Sequence, residues 1–289
     1  MSFKLENSFL ETYKKMVPAW GPIGEFTFMR TYSRLIESEN RREAWWETTR
    51  RVVEGCFSIQ KNHCRNLKLP WSDKKAQKSA KLMYDLIFTF KFLPPGRGLW
   101  VQNTPIIEKT GSSALCNCSF ISTQDITFRK SFPFTWTMDA LMLGVGVGFD
   151  TKGANKLKIV EPQGTTVFVI PDSREGWVES VGLLLEAFFS GSNEPIFDYS
   201  LIRPYGAPIR GFGGKASGPG PLKHLHETII FLLKKRINEN LSSSDIVDIV
   251  DMIGACVISG NVRRSALIAL GNSNDQHFIT MKDYNLYPE

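Results

Sequence analysis

The stretch Phe92–Trp100, F-L-P-P-G-R-G-L-W, divides the chain into two parts with different sequence patterns. Its two prolines and two glycines end any helix that reaches them and predict an irregular segment. Before this stretch, apolar residues recur at helical spacing, as at Ala80 and Met83. After it, strand-like runs alternate with helical patterns. We therefore expect an α-helical N-terminal domain over residues 1–92 and an α/β region over residues 93–289.

The α/β region is predicted to alternate strands with longer helices. Strands are expected at about 115–121, 166–170, 196–203 and 266–270, and helices at 132–143, 221–238 and 243–258. A further helix is expected between Ser173, a plausible N-cap, and Gly191, which stops it. Strands that alternate with helices of this length predict parallel β/α units, hence an α/β sheet or part of a barrel.

The cysteines and the N-terminus indicate a reducing compartment. The five cysteines are irregularly spaced, at Cys56, Cys64, Cys116, Cys118 and Cys256. An odd, irregular set is not a secreted disulfide framework. The N-terminus has acidic and polar residues where a signal peptide needs an apolar block, and no run of about 18 apolar residues occurs. We expect a cytoplasmic protein that does not associate with membranes.

The net charge of +6 favours an anionic partner. The basic residues are scattered apart from short pairs such as Lys234-Lys235, so a phosphate-bearing ligand is favoured over nucleic acid. Asp245, Asp248 and Asp251 recur every three residues, which is typical of a solvated helix face, and no His or Glu joins them. No metal site is expected.

Cys116 and Cys118 lie two positions apart on a predicted strand, so both sulfurs point to the face that also carries Phe120. Their Cα atoms would lie roughly 6.6 Å apart, near the upper limit for a disulfide, and their Cβ directions would be parallel. They are not expected to bridge each other. A buried structural cysteine is the default interpretation, and a redox role requires a partner thiol from elsewhere.

Two glycine-rich stretches are interpreted as loops, and at Gly146 and Gly148 of the first the backbone is expected to come close to another group. The first, G-V-G-V-G at Gly144–Gly148, follows a helix and matches no standard phosphate-binding motif. The second, G-F-G-G-K-A-S-G-P, follows Arg210 and contains Lys215 and Ser217. It is either an anion or nucleotide contact or a mobile surface loop.

Six blocks of the sequence, taken in order, resemble the class II, adenosylcobalamin-dependent ribonucleotide reductases, especially the ribonucleoside-triphosphate reductases. They are P-P-G-R-G-L-W, N-C-S-F, G-V-G-V-G-F-D, P-D-S-R-E-G-W-V-E-S-V, I-R-P-Y-G-A-P-I-R-G-F-G-G-K-A-S-G-P and G-N-V-R-R-S-A-L-I-A-L-G. The resemblance covers nearly the whole chain. It implies that residues 1–92 form the helical domain of the family and that 93–289 form the first half of its ten-stranded α/β barrel.

The resemblance also implies thiyl-radical chemistry that converts ribonucleotides to 2′-deoxyribonucleotides. Cys118 matches one of the two cysteines that supply reducing equivalents and end as a disulfide. Asn117 and Gly146 match positions that line the substrate pocket, and Thr104 is a further candidate for it. Cys116 matches no cysteine of the family pattern and is interpreted as a bystander.

Allosteric control is implied by two further matches. Asp125 matches a position that binds the deoxyribose of a deoxynucleotide effector. The segment Arg210–Gly218 matches the specificity loop, which links the effector site to the substrate base, and its candidate residues are Arg210, Gly213, Gly214, Lys215, Ala216 and Ser217. A deoxynucleotide or ATP effector, a thioredoxin-like reductant and a dimeric assembly are the partners expected from the family.

The sequence ends at Y-N-L-Y-P-E, before the radical-bearing cysteine and the second reducing cysteine of the family pattern. We therefore expect an N-terminal portion that needs a C-terminal reductase chain or a missing segment, which would also hold most of the adenosylcobalamin. The segment from Phe149 to Pro171 is expected to be too short for the insertion that lets some members imitate a partner subunit, which favours a dimer. The alternative is a non-catalytic deoxynucleotide-binding remnant or regulatory module.

Overall fold

A computed structural model describes residues 2–209, 215–259 and 266–285. The chain forms two compact units, one ending at Cys116 and one beginning at Asn117. Each unit has a buried apolar core of its own. The sequence pattern changes earlier, near residue 92, and the division into domains at that point stays a prediction.

The first unit is mainly helical. Its elements are α1 (Asn7–Lys14), α2 (Gly21–Thr31), β1 (Leu35–Ile36), β2 (Arg41–Arg42), α3 (Trp45–Asn66), α4 (Asp73–Phe88), α5 (Gly96–Val101) and α6 (Pro105–Thr110). β1 and β2 form a two-residue antiparallel pair that the sequence pattern did not predict. A short 3₁₀ helix, Gly111–Leu115, follows α6.

The core of this unit forms because α3 and α4 present their apolar faces to each other and to α1. Val53, Ala80, Tyr84 and Ile87 are fully buried. The Tyr84 ring contacts Tyr13 edge-on at 4.7 Å between centroids. Such aromatic pairs stabilise a core beyond the area that they bury.

The irregular segment predicted after Phe92 is shorter than expected, because α5 begins within it at Gly96. Pro95 lies immediately before the first helical residue. A proline is compatible with a helix start, where its missing N–H has no intrahelical acceptor to bind. The preceding helix α4 has already ended at Phe88, so the prolines lie between the two helices and Pro95 marks the start of the second.

The second unit alternates strands and helices. Its elements are β3 (Cys118–Ile121), α7 (Ile126–Arg129), α8 (Phe132–Met142), β4 (Gly146–Asp150), β5 (Thr165–Val169), α9 (Arg174–Ser190), β6 (Glu194–Asp198), α10 (Gly220–Lys235), α11 (Ser243–Ile258), β7 (Leu267–Leu270) and α12 (Gln276–Thr280). The Ser173 hydroxyl caps α9 by accepting the Gly176 N–H, and Gly191 ends it with a φ of 70°. The α/β class and both predicted ends of this helix are confirmed.

The strands form two parallel sheets, as the alternation predicted. One has the order β3-β4-β7 and the other pairs β5 with β6. Within the part of the chain that the structure describes, no barrel is formed, so the expected half of a ten-stranded barrel stays a proposal. No described helix has both the length and the apolar character needed to cross a membrane.

Two strand predictions were wrong and one strand was missed. The strand expected at 196–203 spans Glu194–Asp198 and ends before Tyr199. The strand expected from residue 115 begins at Cys118, because Gly111–Leu115 winds into a 3₁₀ helix and the Cys116 N–H donates to the Ser113 carbonyl. Strand β4 was not predicted, because its glycines were interpreted as a loop. Val147 and Phe149 bury one face of this central strand, each only 1% exposed.

Candidate functional site

One face of the β3-β4-β7 sheet is uncovered in the second unit. The register pairs Cys118 with Gly146, and Phe120 with Gly148, which in turn pairs with Ile268. Residues paired in this way point to the same face of a parallel sheet. Phe120 is 52% exposed and Ile268 is 61% exposed. The opposite face packs into the core through Val147, Phe149 and their neighbours.

The glycines of β4 let neighbouring side chains lie close against the strand on this face. A Cβ atom at Gly148 would lie 3.0 Å from Cδ2 of Phe120 and 3.3 Å from Cγ2 of Ile268. At Gly146, the nearest side-chain atom would be Cβ of Ala266, at 3.4 Å. The Phe120 and Ile268 side chains can therefore lie against Gly148, and Gly146 places no side chain beside Cys118.

Cys118 is a free, exposed thiol at the start of edge strand β3. Asn117 and Gly146 lie beside it, since the Gly146 N–H donates to the Asn117 carbonyl at 2.8 Å. The structure therefore brings three of the predicted site residues together. The default interpretation of a buried structural cysteine was wrong, because the face that carries Cys118 is open.

Cys116 does not share a strand with Cys118. It follows the 3₁₀ helix and is exposed, with its Sγ 3.7 Å from the Ser112 carbonyl oxygen. The expectation that both sulfurs point to one face of one strand was therefore wrong.

Asp150 joins the loops that follow β3 and β4. Its carboxylate accepts hydrogen bonds from the Ser122 hydroxyl at 2.7 Å, the Thr123 N–H at 2.8 Å and the Lys152 N–H at 3.3 Å. Burial alone would raise the pKa of Asp150, but these hydrogen bonds outweigh it and lower the pKa. Asp125, the predicted effector contact, is exposed just beyond, at the start of α7.

Thr104 belongs to the first unit and is 5% exposed. Its hydroxyl donates to the Val101 carbonyl at 2.7 Å. The segment before it is held by Arg51, whose guanidinium donates to the Leu99 and Gln102 carbonyls at 2.8 and 2.6 Å. The hydroxyl of Thr104 is thus hydrogen-bonded to the backbone three residues earlier in the chain.

The segment predicted to be the specificity loop is described only in part, since Arg210, Gly213 and Gly214 lie outside the described residues. Lys215 pairs with Pro208 in an antiparallel bridge. Ala216 donates its N–H to the Ala207 carbonyl at 2.8 Å, and its carbonyl accepts the Gly206 N–H at 2.9 Å. The two strands of the loop therefore pair at its base.

A cavity of about 140 Å³ lies against the base of this loop, lined by Lys215, Ala216, Ser217, Arg174, Arg203, Trp177 and Cys256 among others. Two of its cations are paired, since Arg203 donates to Asp172 at 2.7 Å and Arg174 to Asp139 at 2.5 Å. Burial raises the pKa of the Cys256 thiol to about 12, which keeps it protonated.

Two polar groups of the second unit escaped the sequence analysis. Asp245, expected on a solvated face, is 2% exposed and caps α11, where it accepts the Ser242 N–H at 2.9 Å. The spacing Ser242-x-x-Asp245 is a capping signature that could have revealed this. His226 is 1% exposed, and no sequence pattern indicated its partners. Across residues 2–209, 215–259 and 266–285, no group of three His, Cys, Asp or Glu could hold a metal ion.

Two family models match the sequence. "Ribonucleotide reductase alpha domain" matches residues 5–104, and "B12-dependent ribonucleotide reductase, insertion domain" matches residues 148–233. With the parallel sheet and its free thiol, these matches define the class of protein as a ribonucleotide reductase.

Curated relatives narrow the class. A probable adenosylcobalamin-dependent ribonucleoside-triphosphate reductase of Dictyostelium discoideum is 48% identical over 309 residues, which cover 99% of this chain and 40% of the relative. The corresponding reductase of Euglena gracilis is 43% identical, with coverages of 99% and 40%. A crystal structure of a B12-dependent (class II) ribonucleotide reductase superposes with a TM-score of 0.83 at 31% identity, covering 99% of this chain and 47% of that one. The chain belongs to the adenosylcobalamin-dependent, class II ribonucleotide reductase family.

The chain spans 40% of the length of the first two relatives. The insertion-domain match over 148–233 includes the segment that we expected to lack any insertion. That segment therefore no longer argues for a dimer.

Proposed function

We propose that this chain is the part of an adenosylcobalamin-dependent ribonucleoside-triphosphate reductase that carries one reducing thiol and the allosteric specificity loop. The observation that carries the proposal is the position of Cys118, a free thiol beside Gly146 on an uncovered apolar sheet face. The proposal extends to the chain the activity named for its relatives.

The uncovered sheet face supports the proposal that a further part of the protein packs against it. Parallel sheets in globular proteins are normally covered on both faces. Phe120, Ile268 and Leu270 are each about half exposed or more on this face. We propose that the other half of a ten-stranded barrel covers them, contributed by a C-terminal reductase chain or by further sequence. Assembly into a dimer is part of the same proposal.

The role proposed for Cys118 is reductive. When bound, adenosylcobalamin supplies the radical chemistry that activates the ribonucleotide; we assign no residue of this chain to holding it. Cys118 and a second thiol then provide two electrons and two protons. The 2′-hydroxyl leaves as water, a C–H bond replaces the C–O bond, and the two sulfurs form a disulfide. A thioredoxin-like dithiol restores them.

Asn117, Gly146 and Thr104 are proposed to line the substrate pocket, and Asp125 with the specificity loop is proposed to receive the effector. Asn117 and Gly146 both lie beside Cys118, which supports placing these two residues in a single pocket. Lys215 at the base of the loop offers a cation for a phosphorylated effector.

The test is reconstitution. The chain is co-expressed with a second polypeptide that supplies the missing reductase segments, and deoxynucleotide formation is measured with adenosylcobalamin and a dithiol. Cys118→Ser should abolish turnover with the dithiol, and the matched control Cys116→Ser should retain it. Full activity of Cys118→Ser would refute the role of this thiol. Deoxynucleotide binding without turnover in the assembled protein would favour the regulatory module instead.

A further inference from the structure

A buried histidine on α10, the helix that follows the predicted specificity loop, is hydrogen-bonded through both ring nitrogens. His226 is on α10, with its Nδ1 2.8 Å from Oη of Tyr199 and its Nε2 3.0 Å from Oγ of Ser180. Its ring stacks on Phe197, with the ring centroids 4.0 Å apart. Three separate segments therefore meet at this imidazole.

The direction of each hydrogen bond follows from the donors available. The Ser180 hydroxyl has one proton and lies 2.8 Å from the Trp177 carbonyl oxygen, which can only accept. Nε2 of His226 must then donate to Ser180, so Nδ1 accepts the Tyr199 proton. This tautomer is neutral, consistent with burial, which lowers the pKa of His226 to about 3.

The Tyr199–His226 hydrogen bond joins the residue before the segment 200–219 to the helix that follows this segment. Tyr199 directly follows β6, and α10 begins at Gly220, so the segment 200–219 leaves from one partner and returns to the helix that carries the other. This segment contains the specificity loop. Ser180 lies on α9, outside the segment.

We propose that His226 is a positioning residue that, by accepting the Tyr199 hydroxyl proton, fixes both ends of segment 200–219 and thereby the base of the specificity loop. Holding the two ends together reduces the conformations open to the segment between them. The effect on the loop requires only the fold; its consequence for effector response rests on the proposed function.

The matched pair of variants is Tyr199→Phe and Ser180→Ala. Each removes one hydroxyl from the same imidazole, but only Tyr199 adjoins the loop segment. Amide hydrogen exchange in the full chain reports on the loop base, where the Ile202 N–H binds the Tyr199 carbonyl and the Gly206 N–H binds the Ala216 carbonyl.

Tyr199→Phe is expected to speed exchange at these amides by about fivefold, the effect of losing one typical hydrogen bond. Ser180→Ala should leave them at the wild-type rate. Equal acceleration in both variants, or none in Tyr199→Phe, would overturn the proposal.

A second experiment measures the effector response of the reconstituted reductase. Tyr199→Phe should raise the effector concentration needed for half-maximal stimulation by about fivefold, with turnover in the absence of effector unchanged. Ser180→Ala should alter neither quantity. An unchanged effector response in Tyr199→Phe would contradict the link to regulation. A lack of reductase activity in the wild-type assembly would count against the proposed function, while the exchange experiment would still decide the positioning role.

Discussion

At the scale of single residues, the cysteines differ in how accessible their thiols are. Cys118 is exposed on the open sheet face, whereas Cys256 is 5% exposed and burial raises its pKa to about 12. Because the thiolate is the reactive form, iodoacetamide at pH 8 should alkylate Cys118 in the folded chain and reach Cys256 only after unfolding. Peptide mass spectrometry measures both. Protection of Cys118 in the folded chain would contradict the open face.

His226 should make stability depend on pH. Its pKa falls from an ordinary value near 6.5 to about 3 in the folded chain, so the folded state binds fewer protons between these values. The neutral His226 contributes fully to the free energy of unfolding above pH 6.5, and this contribution is lost as the pH falls towards 3. The loss is about 1.4 kcal/mol per pH unit well below 6.5.

Urea unfolding at pH 5 and pH 7 tests this. When the pH falls from 7 to 5, the free energy of unfolding should decrease by about 2 kcal/mol more in the wild type than in His226→Gln. Tyr199, the hydroxyl facing Nδ1, does not titrate in this range, because burial and the charge of Glu227 raise its pKa to about 12. Identical pH dependence in the two proteins would show that His226 is not held neutral.

The residues that sequence reasoning found and missed differ in the range of their contacts. Cys118 was proposed as a site residue because a local motif carries the family resemblance. Asp150 and His226 bind partners 27 to 46 positions away, and no local pattern records such contacts. Their importance could be read only from the fold.

At the scale of elements, Gly153 controls how closely the loops after β3 and β4 approach. A Cβ there would lie 2.7 Å from the Thr123 carbonyl oxygen and 3.1 Å from Cγ2 of Ile126. Gly153→Ala should therefore lower the free energy of unfolding by about 1–3 kcal/mol. In the control Gly220→Ala, the added methyl meets nothing within 4 Å.

Chemical denaturation compares these glycine variants. Gly220→Ala should stay within about 0.5 kcal/mol of the wild type. Equal stability of Gly153→Ala and Gly220→Ala would mean that the two loops can separate without loss, and that the Asp150 hydrogen bonds do not depend on this contact.

Elements with local signals were predictable from the sequence. The serine before α9 and the glycine after it marked both helix ends. Strand β4 was missed because its alternating glycines are unusual in a strand, and they are tolerated where Phe120 and Ile268 pack over the backbone. The start of β3 was misplaced because the preceding 3₁₀ helix has no distinct sequence signature.

At the scale of the whole molecule, the two units have separate cores. Ile87 belongs to the first core and Leu184 to the second, and both are fully buried. Truncation of either to Ala should cost about 2–5 kcal/mol. Hydrogen exchange should show lost protection up to residue 116 for Ile87→Ala, and beyond it for Leu184→Ala. Loss across the whole chain in both variants would indicate a single cooperative unit.

The open face of the β3-β4-β7 sheet connects the whole molecule to its proposed function. Sequence reasoning identified the family and proposed the thiol, but it could not show that the thiol lies on an uncovered surface. The strand register reveals this, because it aligns Cys118, Gly146 and the exposed apolar side chains on one face. The thiol partner expected for Cys118 belongs to whatever covers that face.

A single-turnover experiment tests the central claim most directly. The reconstituted enzyme is given ribonucleotide and adenosylcobalamin without external dithiol, and free thiols are then alkylated and mapped by mass spectrometry. After one deoxynucleotide has formed per site, we predict Cys118 in a disulfide with a cysteine of the second polypeptide and Cys116 alkylated. Product formation with Cys118 still free to be alkylated would contradict the account.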